Sequence, residues 1–173
     1  MTASERSGEW FRRIVIAHAL TVASTRPPDI LELGSGSGAF ASTALAEAGF
    51  ASIGVDESSS VLDSARAGAE RMNGGVRPLY LAMDPERLEF GDDVFDLVCG
   101  TGLAVEQLAE VARVLRPDGA AVFADPRGMR REEITAATRH FGRVEARFFR
   151  RDLLSLLRGR ARAVVLRLSE PRG

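Results

Sequence analysis

The chain has 173 residues, a length that fits one domain with a buried core of its own. Its hydrophobic fraction of 45% and charged fraction of 27% are ordinary for a globular protein. A single cysteine, Cys99, excludes an internal disulfide framework. The sequence contains neither a signal peptide nor an apolar run near the roughly 20 residues of a membrane span. We therefore expect a cytoplasmic protein with no membrane partner.

The charged residues are distributed unevenly along the chain. All 23 basic residues are arginine, which excludes lysine-dependent Schiff-base chemistry. Residues 1–112 carry 8 arginines against 17 acidic residues, whereas residues 113–173 carry 15 against 7. A basic C-terminal third favours an acidic acceptor or partner, and a solvated arginine surface is the alternative. Nucleic acid is not indicated, because aromatic residues do not interleave with the arginines.

Short apolar runs alternate with amphipathic ones, a pattern typical of βα units around a mainly parallel sheet. The predicted strands are Ile30–Leu33, Ala51–Val55, Leu79–Met83, Val94–Cys99, Ala120–Ala124, Val144–Phe149 and Ala163–Leu168. Helices are predicted over Ser4–Ser24, Ala39–Ala48, Ser58–Met72, Leu103–Leu115 and Arg130–Phe141, with a turn at Arg116–Gly119 and a helical link at Asp152–Leu157. No full crossover helix separates the final two strands, which indicates an antiparallel strand at the sheet edge.

The first predicted strand runs into a turn with glycine at Gly34, Gly36 and Gly38. Glycine permits positive φ and lets a ligand approach the backbone closely. With Ala39 the turn also satisfies the dinucleotide pattern, and Asp56 at the end of the second strand suits a ribose in either cofactor family. These features indicate a binding site for a nucleoside-containing cofactor. They do not distinguish NAD from S-adenosylmethionine. A tight turn without a ligand and a plain strand-end acid are the alternatives.

Two acidic residues favour S-adenosylmethionine over NAD. Glu32 lies inside the first strand, where dinucleotide sites usually carry an apolar residue, and its carboxylate complements an ammonium group. Asp84 ends the third strand, where it can accept a hydrogen bond from an adenine amino group.

Five segments in this order, LELGSGSG (31–38), VDES (55–58), AMDPERLEF (82–90), FDLV (95–98) and RVLRPDGAAVFADP (113–126), resemble the class I S-adenosylmethionine-dependent methyltransferases. The resemblance departs at Asp118, where glycine is usual. It implies a Rossmann-like three-layer αβα sandwich whose mostly parallel seven-stranded sheet has its last strand antiparallel. We expect a single domain over residues 1–173, with an N-terminal helix (1–28), a cofactor-binding half (29–125) and an acceptor-side half (126–173).

The resemblance also implies roles for individual residues. Glu32 would lie near the cofactor's ammonium, Gly34, Ser35, Gly36 and Gly38 along its methionine portion, Asp56 at the ribose and Asp84 at the adenine amino group, with Glu57 and Met83 as further adenine contacts. The acceptor is expected beyond the carboxyl ends of the strands, which points to Thr101 and Asp125. Asp125 is the candidate for orienting the acceptor or removing its proton, and a turn acid before Pro126 is the alternative. The sequence contains no cluster of His and Cys residues, so no metal site is predicted.

The predicted activity is therefore methyl transfer from S-adenosylmethionine to an unidentified acceptor by in-line displacement. A non-catalytic S-adenosylmethionine-binding or partner module is the first alternative. An NAD(P)-dependent oxidoreductase is the second, disfavoured by Glu32 and by the missing tyrosine–lysine pair. Such a small domain favours either a macromolecule on an open face or a small acceptor capped by the N-terminal helix through Trp10 and Phe11. Arg147, Arg150 and Arg151 would form the surface for an acidic acceptor.

Overall fold

Seven strands form one sheet in the computed structural model, in the order β3-β2-β1-β4-β5-β7-β6. The structure describes residues 3–36, 40–125, 131–149 and 163–171. The strands are β1 (Ile30–Leu33), β2 (Ile53–Asp56), β3 (Leu79–Ala82), β4 (Phe95–Thr101), β5 (Leu115–Asp125), β6 (Phe141–Phe149) and β7 (Ala163–Pro171). The ladders joining β1 to β5 are parallel, and β7 pairs antiparallel with both β5 and β6. The predicted sheet, with its antiparallel last strand, is confirmed, but β7 lies between β5 and β6, so the antiparallel strand is not at the sheet edge as predicted.

Helices cover both faces of the sheet and complete the predicted three layers. They are α1 (Ala3–Ala23), α2 (Phe40–Glu47), α3 (Ser59–Glu70), α4 (Leu108–Val114) and α5 (Arg131–His140). Helices α1 and α2 lie over one face, where Phe11 packs in a cluster with Leu97 and Val122. Helices α4 and α5 lie over the other face, where Val111 packs in a cluster with Val98. Every residue of β1 is buried, as expected for a central strand that is covered by helices on both faces of the sheet.

Two predicted boundaries on either side of α4 are wrong. The helix predicted over Leu103–Leu115 begins only at Leu108, because Gly102 has φ of +82° and Ala104 is extended. Residues 105–107 form a separate 3-10 turn. Strand β5 begins at Leu115, and the turn predicted at Arg116–Gly119 is a bulge between two consecutive pairs with β4.

The C-terminal elements also differ from the prediction at their ends. Strand β6 begins at Phe141, so that α5 passes into it directly at His140. Strand β7 continues to Pro171 beside the start of β6. The predicted link Asp152–Leu157 lies outside the described residues. These differences leave the predicted number of seven strands unchanged.

A buried carboxylate ties the end of α1 to the amino ends of β1 and β4. Asp96 is 1% exposed and accepts hydrogen bonds from Arg26, from Arg116 (2.8 Å) and from the amide of Asp29 (2.8 Å). Burial alone would raise the pKa of Asp96, but the two guanidinium groups and the amide outweigh it and hold the pKa below its usual value. His18 donates from Nε2 to the Asp96 carbonyl at 2.9 Å, and burial lowers its pKa.

We expect Asp96→Asn to lower the free energy of unfolding by about 3 kcal/mol, because it breaks a buried ion pair on one side only. Since the folded chain lowers the pKa of Asp96, its contribution is complete above pH ~4 and is lost as the pH falls further. The variant should therefore be less sensitive to acid than the wild type. Urea unfolding at pH 7 and pH 3 measures both effects. Asp63→Asn, in an exposed pair with Arg66, is the control and should cost less than about 1 kcal/mol. Equal losses in the two variants would contradict this account.

Candidate active site

The carboxyl end of β1 turns at two glycines whose backbone conformation other residues rarely adopt. Gly34 has φ of +60° and Gly36 has φ of +58°. A Cβ built on Gly34 would meet no atom within 4 Å, so this backbone faces free space. The buried Ser35 donates its amide hydrogen to the Val55 carbonyl at 3.1 Å, which ties the turn to β2. The predicted Gly38 lies outside the described residues.

Asp56, at the end of β2, is in direct contact with this turn. Its Oδ2 accepts a hydrogen bond from the Gly36 amide at 3.1 Å, and its Oδ1 accepts one from the Ser58 amide at 3.0 Å. A carboxylate has about four lone-pair positions, so each oxygen can accept a further hydrogen bond. The structure therefore brings Gly36 and Asp56 together with acceptor capacity left over.

The remaining predicted nucleoside contacts follow β2 and β3. The Met83 amide donates to the Asp56 carbonyl at 3.1 Å, so the ends of the two strands lie side by side. The Asp84 side chain is exposed and accepts a hydrogen bond from the Glu86 amide at 2.8 Å. Glu57 is exposed in the loop after Asp56. Met83 and Asp84 thus lie at the same edge as Asp56, and the adenine roles of Glu57, Met83 and Asp84 stay predictions.

Glu32 is 1% exposed, and its carboxylate is directed at the start of α2. Oε1 accepts a hydrogen bond from the Ala41 amide at 2.8 Å, and Oε2 accepts one from the Ser42 amide at 3.0 Å. Amides in the first turn of a helix have no partner within the helix, and its positive end favours a carboxylate. Burial raises the pKa of Glu32, and the hydrogen bonds from Ser42 and Ala41 offset this only in part. The predicted proximity of Glu32 to an ammonium stays a prediction.

The neighbours of Glu32 in the sheet are adapted to this buried carboxylate. Gly54 pairs with it on one side and Cys99 on the other. A Cβ on Gly54 would lie 2.5 Å from the Ser35 hydroxyl and 2.7 Å from the Tyr80 ring, so only glycine fits. Burial, and then the charge of Glu32, raise the pKa of Tyr80 to about 12 and raise that of the Cys99 thiol. Both side chains therefore remain protonated at neutral pH.

A cavity of about 460 Å³ opens beside Gly34 at the carboxyl ends of β1, β4 and β5. Thr101 and Asp125, the two predicted acceptor-side residues, both line it. The loop after β4 supplies further walls from Leu103, Ala104, Val105, Glu106 and Gln107. The structure therefore joins the glycine turn to both predicted acceptor-side residues in one cavity.

Sequence reasoning missed Glu106 and Gln107, because the apolar spacing that predicted a helix from Leu103 continues across them. The overlooked signal is Gly102, directly after the strand end at Thr101, whose positive φ ends β4 and opens the loop. The expected cap by Trp10 and Phe11 is also absent from the walls of this cavity. Phe11 is fully buried in the core.

Residues 30–119 match the family model described as a methyltransferase domain. The chain belongs to this methyltransferase family. The match begins at β1 and ends in the bulge of β5, so it includes the glycine turn, Asp56, Asp84 and Thr101. Family membership favours the methyltransferase over the oxidoreductase, the two interpretations that the glycine turn and Asp56 left open.

Solved structures with the same fold differ widely from this chain in sequence. N-methyltransferase NodS from Bradyrhizobium japonicum is 16% identical, with a TM-score of 0.69 over 96% of this chain and 98% of that one. Geranyl diphosphate C-methyltransferase from Streptomyces coelicolor, in complex with S-adenosyl-L-homocysteine, is 14% identical, with a TM-score of 0.66 over 83% and 73%. The [4+2]-cyclase SpnF is 13% identical, with a TM-score of 0.70 over 94% and 82%. No curated protein sequence matches with significance. The fold is therefore shared by proteins named for different reactions, and the site must indicate the chemistry.

Two further features are absent from the part of the chain that the structure describes. No group of three or more His, Cys, Asp or Glu side chains there could hold a metal ion. No helix in the same ranges is long and apolar enough to cross a membrane.

We expect Glu32→Gln to lower the free energy of unfolding by about 3 kcal/mol. The substitution replaces one of the two carboxylate oxygens by an NH₂ group, which cannot accept the hydrogen of the backbone amide that it faces. Urea unfolding at pH 7 measures the loss. Glu89→Gln, a change at an exposed glutamate, is the matched control and should leave the unfolding midpoint in place. An unchanged midpoint for Glu32→Gln would show that the amides of α2 do not depend on this carboxylate.

Proposed function

We propose that this protein is an enzyme that binds S-adenosylmethionine along the carboxyl ends of β1, β2 and β3 and transfers its methyl group to an acceptor beyond β4 and β5. The observation that carries the proposal is the open glycine turn hydrogen-bonded to Asp56. A ligand can approach the backbone at Gly34 closely, and a carboxylate with spare acceptor positions lies next to it. This combination suits a cofactor with a ribose and a flexible polar tail.

The nucleoside part would be held by Asp56, Asp84 and Met83. Asp56 has the acceptor positions that two ribose hydroxyls require. The exposed Asp84 carboxylate is available to an adenine amino group, and the half-buried Met83 thioether offers a polarizable wall to an aromatic ring. All three residues lie at adjoining strand ends, which gives the site one continuous edge.

The amino-acid tail would lie in the cavity beside Gly34. Both oxygens of Glu32 already accept amide hydrogens, whereas Glu106 lines the cavity itself. We infer that Glu106 supplies the negative charge that an ammonium group requires. Glu32 would then act mainly by holding the start of α2 in place.

When bound, the cofactor would supply a sulfonium methyl group, and its S–CH₃ bond would break with the electron pair left on sulfur as the methyl carbon bonds to the acceptor. The chain's contribution is to hold the acceptor atom in line with that bond. Thr101 and Asp125 lie where they can orient this atom. Asp125 can also accept the acceptor's proton if the reaction releases one.

Calorimetric titration with S-adenosylhomocysteine and with 5′-methylthioadenosine, which lacks the amino-acid tail, tests these assignments. We expect the wild type to bind both. Asp56→Ala should weaken both about tenfold, ~1.4 kcal/mol, because both contain the ribose. Glu106→Gln should weaken S-adenosylhomocysteine about fivefold, ~1 kcal/mol, and leave methylthioadenosine unchanged, because only the former has an ammonium.

Glu89→Gln is the control for the loss of an exposed charge, and thermal melts should show that each variant is folded. Binding of NAD in place of the two thioether nucleosides would contradict the proposed cofactor. Equal effects of Glu106→Gln on the two thioether ligands would contradict the role of Glu106. Cofactor binding without methyl transfer to any of a broad set of acceptors would favour the non-catalytic module instead.

A further inference from the structure

A second cavity, of about 610 Å³, lies between α1 and the start of α2 and reaches the carboxyl ends of β4 and β5. Thr101 lines both this cavity and the one beside Gly34, so the two spaces border the same residue. Ala124, directly before Asp125, forms part of the same wall. The second cavity therefore adjoins the place where the proposed reaction requires its acceptor.

The walls contributed by α1 and α2 leave this space open and largely apolar. Ile16 and Phe40 line it, and Phe40 keeps 40% of its surface exposed. Gly8, opposite Phe40, adds no side chain, and a Cβ there would lie 3.6 Å from the Phe40 ring. Gly8 therefore leaves this space open at a cost to the stability of α1 of about 1 kcal/mol relative to alanine.

The charged side chains of the cavity are balanced in number. Glu5 and Glu9 line it together with Arg12 and Arg13. Arg12 is already paired with Glu47 at 2.9 Å, so its charge is partly neutralised within the protein. An anionic ligand therefore finds no excess of positive charge. The volume lies within the range of roughly 300–1,000 Å³ that is typical of small-molecule sites.

On this basis, which rests on the proposed function, we propose that the cavity between α1 and Phe40 is the acceptor site and takes a small molecule with an apolar body and no negative charge. The apolar part contacts Ile16 and Phe40, and the nucleophilic atom lies toward Thr101. This site differs from the acidic-acceptor surface suggested by the arginine-rich C-terminal third. Of the arginines named there, Arg147 lies over the Trp10 ring, 5.0 Å from its centroid, and Arg150 and Arg151 lie outside the described residues.

The test uses two probes with the same ring system, neutral 2-naphthol and anionic naphthalene-2-sulfonate, each titrated by calorimetry with S-adenosylhomocysteine present. We expect 2-naphthol to bind saturably to the wild type and the sulfonate to bind at least about tenfold more weakly, a difference of ~1.4 kcal/mol. Gly8→Leu fills the cavity and should weaken 2-naphthol by at least about tenfold, while the affinity for S-adenosylhomocysteine changes less than about twofold.

Gly68→Leu is the matched control, because Gly68 lies in α3 where a Cβ would meet no atom within 4 Å. It should change neither affinity. Ile16→Phe fills the same cavity from a second position of α1 and should also weaken 2-naphthol, which keeps the test valid if Gly8→Leu does not fold.

Undiminished 2-naphthol binding in a folded filling variant would overturn the assigned site, as would the absence of saturable binding in the wild type. Equal or tighter binding of the sulfonate would overturn the assignment of a ligand without negative charge. If S-adenosylhomocysteine fails to bind the wild type, the proposed function fails. The naphthol titrations, repeated without it, still report on the cavity itself.

Discussion

Glu32 lies in the middle of the sheet, between Gly54 and Cys99, and its two oxygens accept the amide hydrogens of Ala41 and Ser42 at the start of α2. An anionic side chain in the core is costly unless it is hydrogen-bonded, and the free amides of a helix end meet that requirement. The chain between β1 and α2 must then turn within a few residues. Positive φ at Gly34 and Gly36 makes this possible. The open backbone of the glycine turn therefore depends on the buried hydrogen bonds between the Glu32 carboxylate and the first amides of α2.

The two ends of the sheet use carboxylates in different ways. At the amino ends, Asp96 is saturated by two guanidinium groups and one amide, which keeps it ionised and fixes α1. At the carboxyl ends, Asp56 and Glu106 remain accessible to a ligand. Stability and binding are thus separated along the strands, so a ligand can change the charge balance at one edge without disturbing the ion pairs at the other.

The number of strands and the residues at the strand ends follow from local patterns of apolar runs, whereas the three-layer sandwich was implied by the resemblance to the methyltransferases. Gly34, Asp56, Asp84 and Thr101 each lie at the end of β1, β2, β3 or β4 or within two residues of it, and the ends of parallel strands lie at one edge of the sheet. Glu106 was missed because helical spacing extends across it, and only the backbone of Gly102 shows where the helix cannot form. The contact of Glu32 with α2 cannot be predicted from the spacing of residues along the sequence, since a carboxylate in a strand has several possible partners.

The cavity at α1 was beyond prediction for another reason. Trp10 and Phe11 were the conspicuous aromatic residues, yet Phe11 belongs to the core and Trp10 packs under Arg147. The space itself is formed by Gly8 opposite Phe40. Because glycine has no side chain, it adds nothing to the pattern of apolar residues from which the sequence is interpreted. Only the packing of α1 against the start of α2 reveals it.

The short connection between β3 and β4 explains how a small chain keeps the nucleoside side of the site rigid. This segment contains no helix, and Leu88 fills the core instead. Phe90 packs edge-on against Phe95, with the ring centroids 5.0 Å apart. Arg113 donates to the carbonyls of Leu88 and Phe90, and Glu110 accepts the Leu88 amide at 2.9 Å. Side chains of α4 thus satisfy backbone groups that a helix would satisfy internally. Because α4 follows directly from the loop that contains Glu106, the same helix supports both the adenine side and the acceptor side of the proposed site.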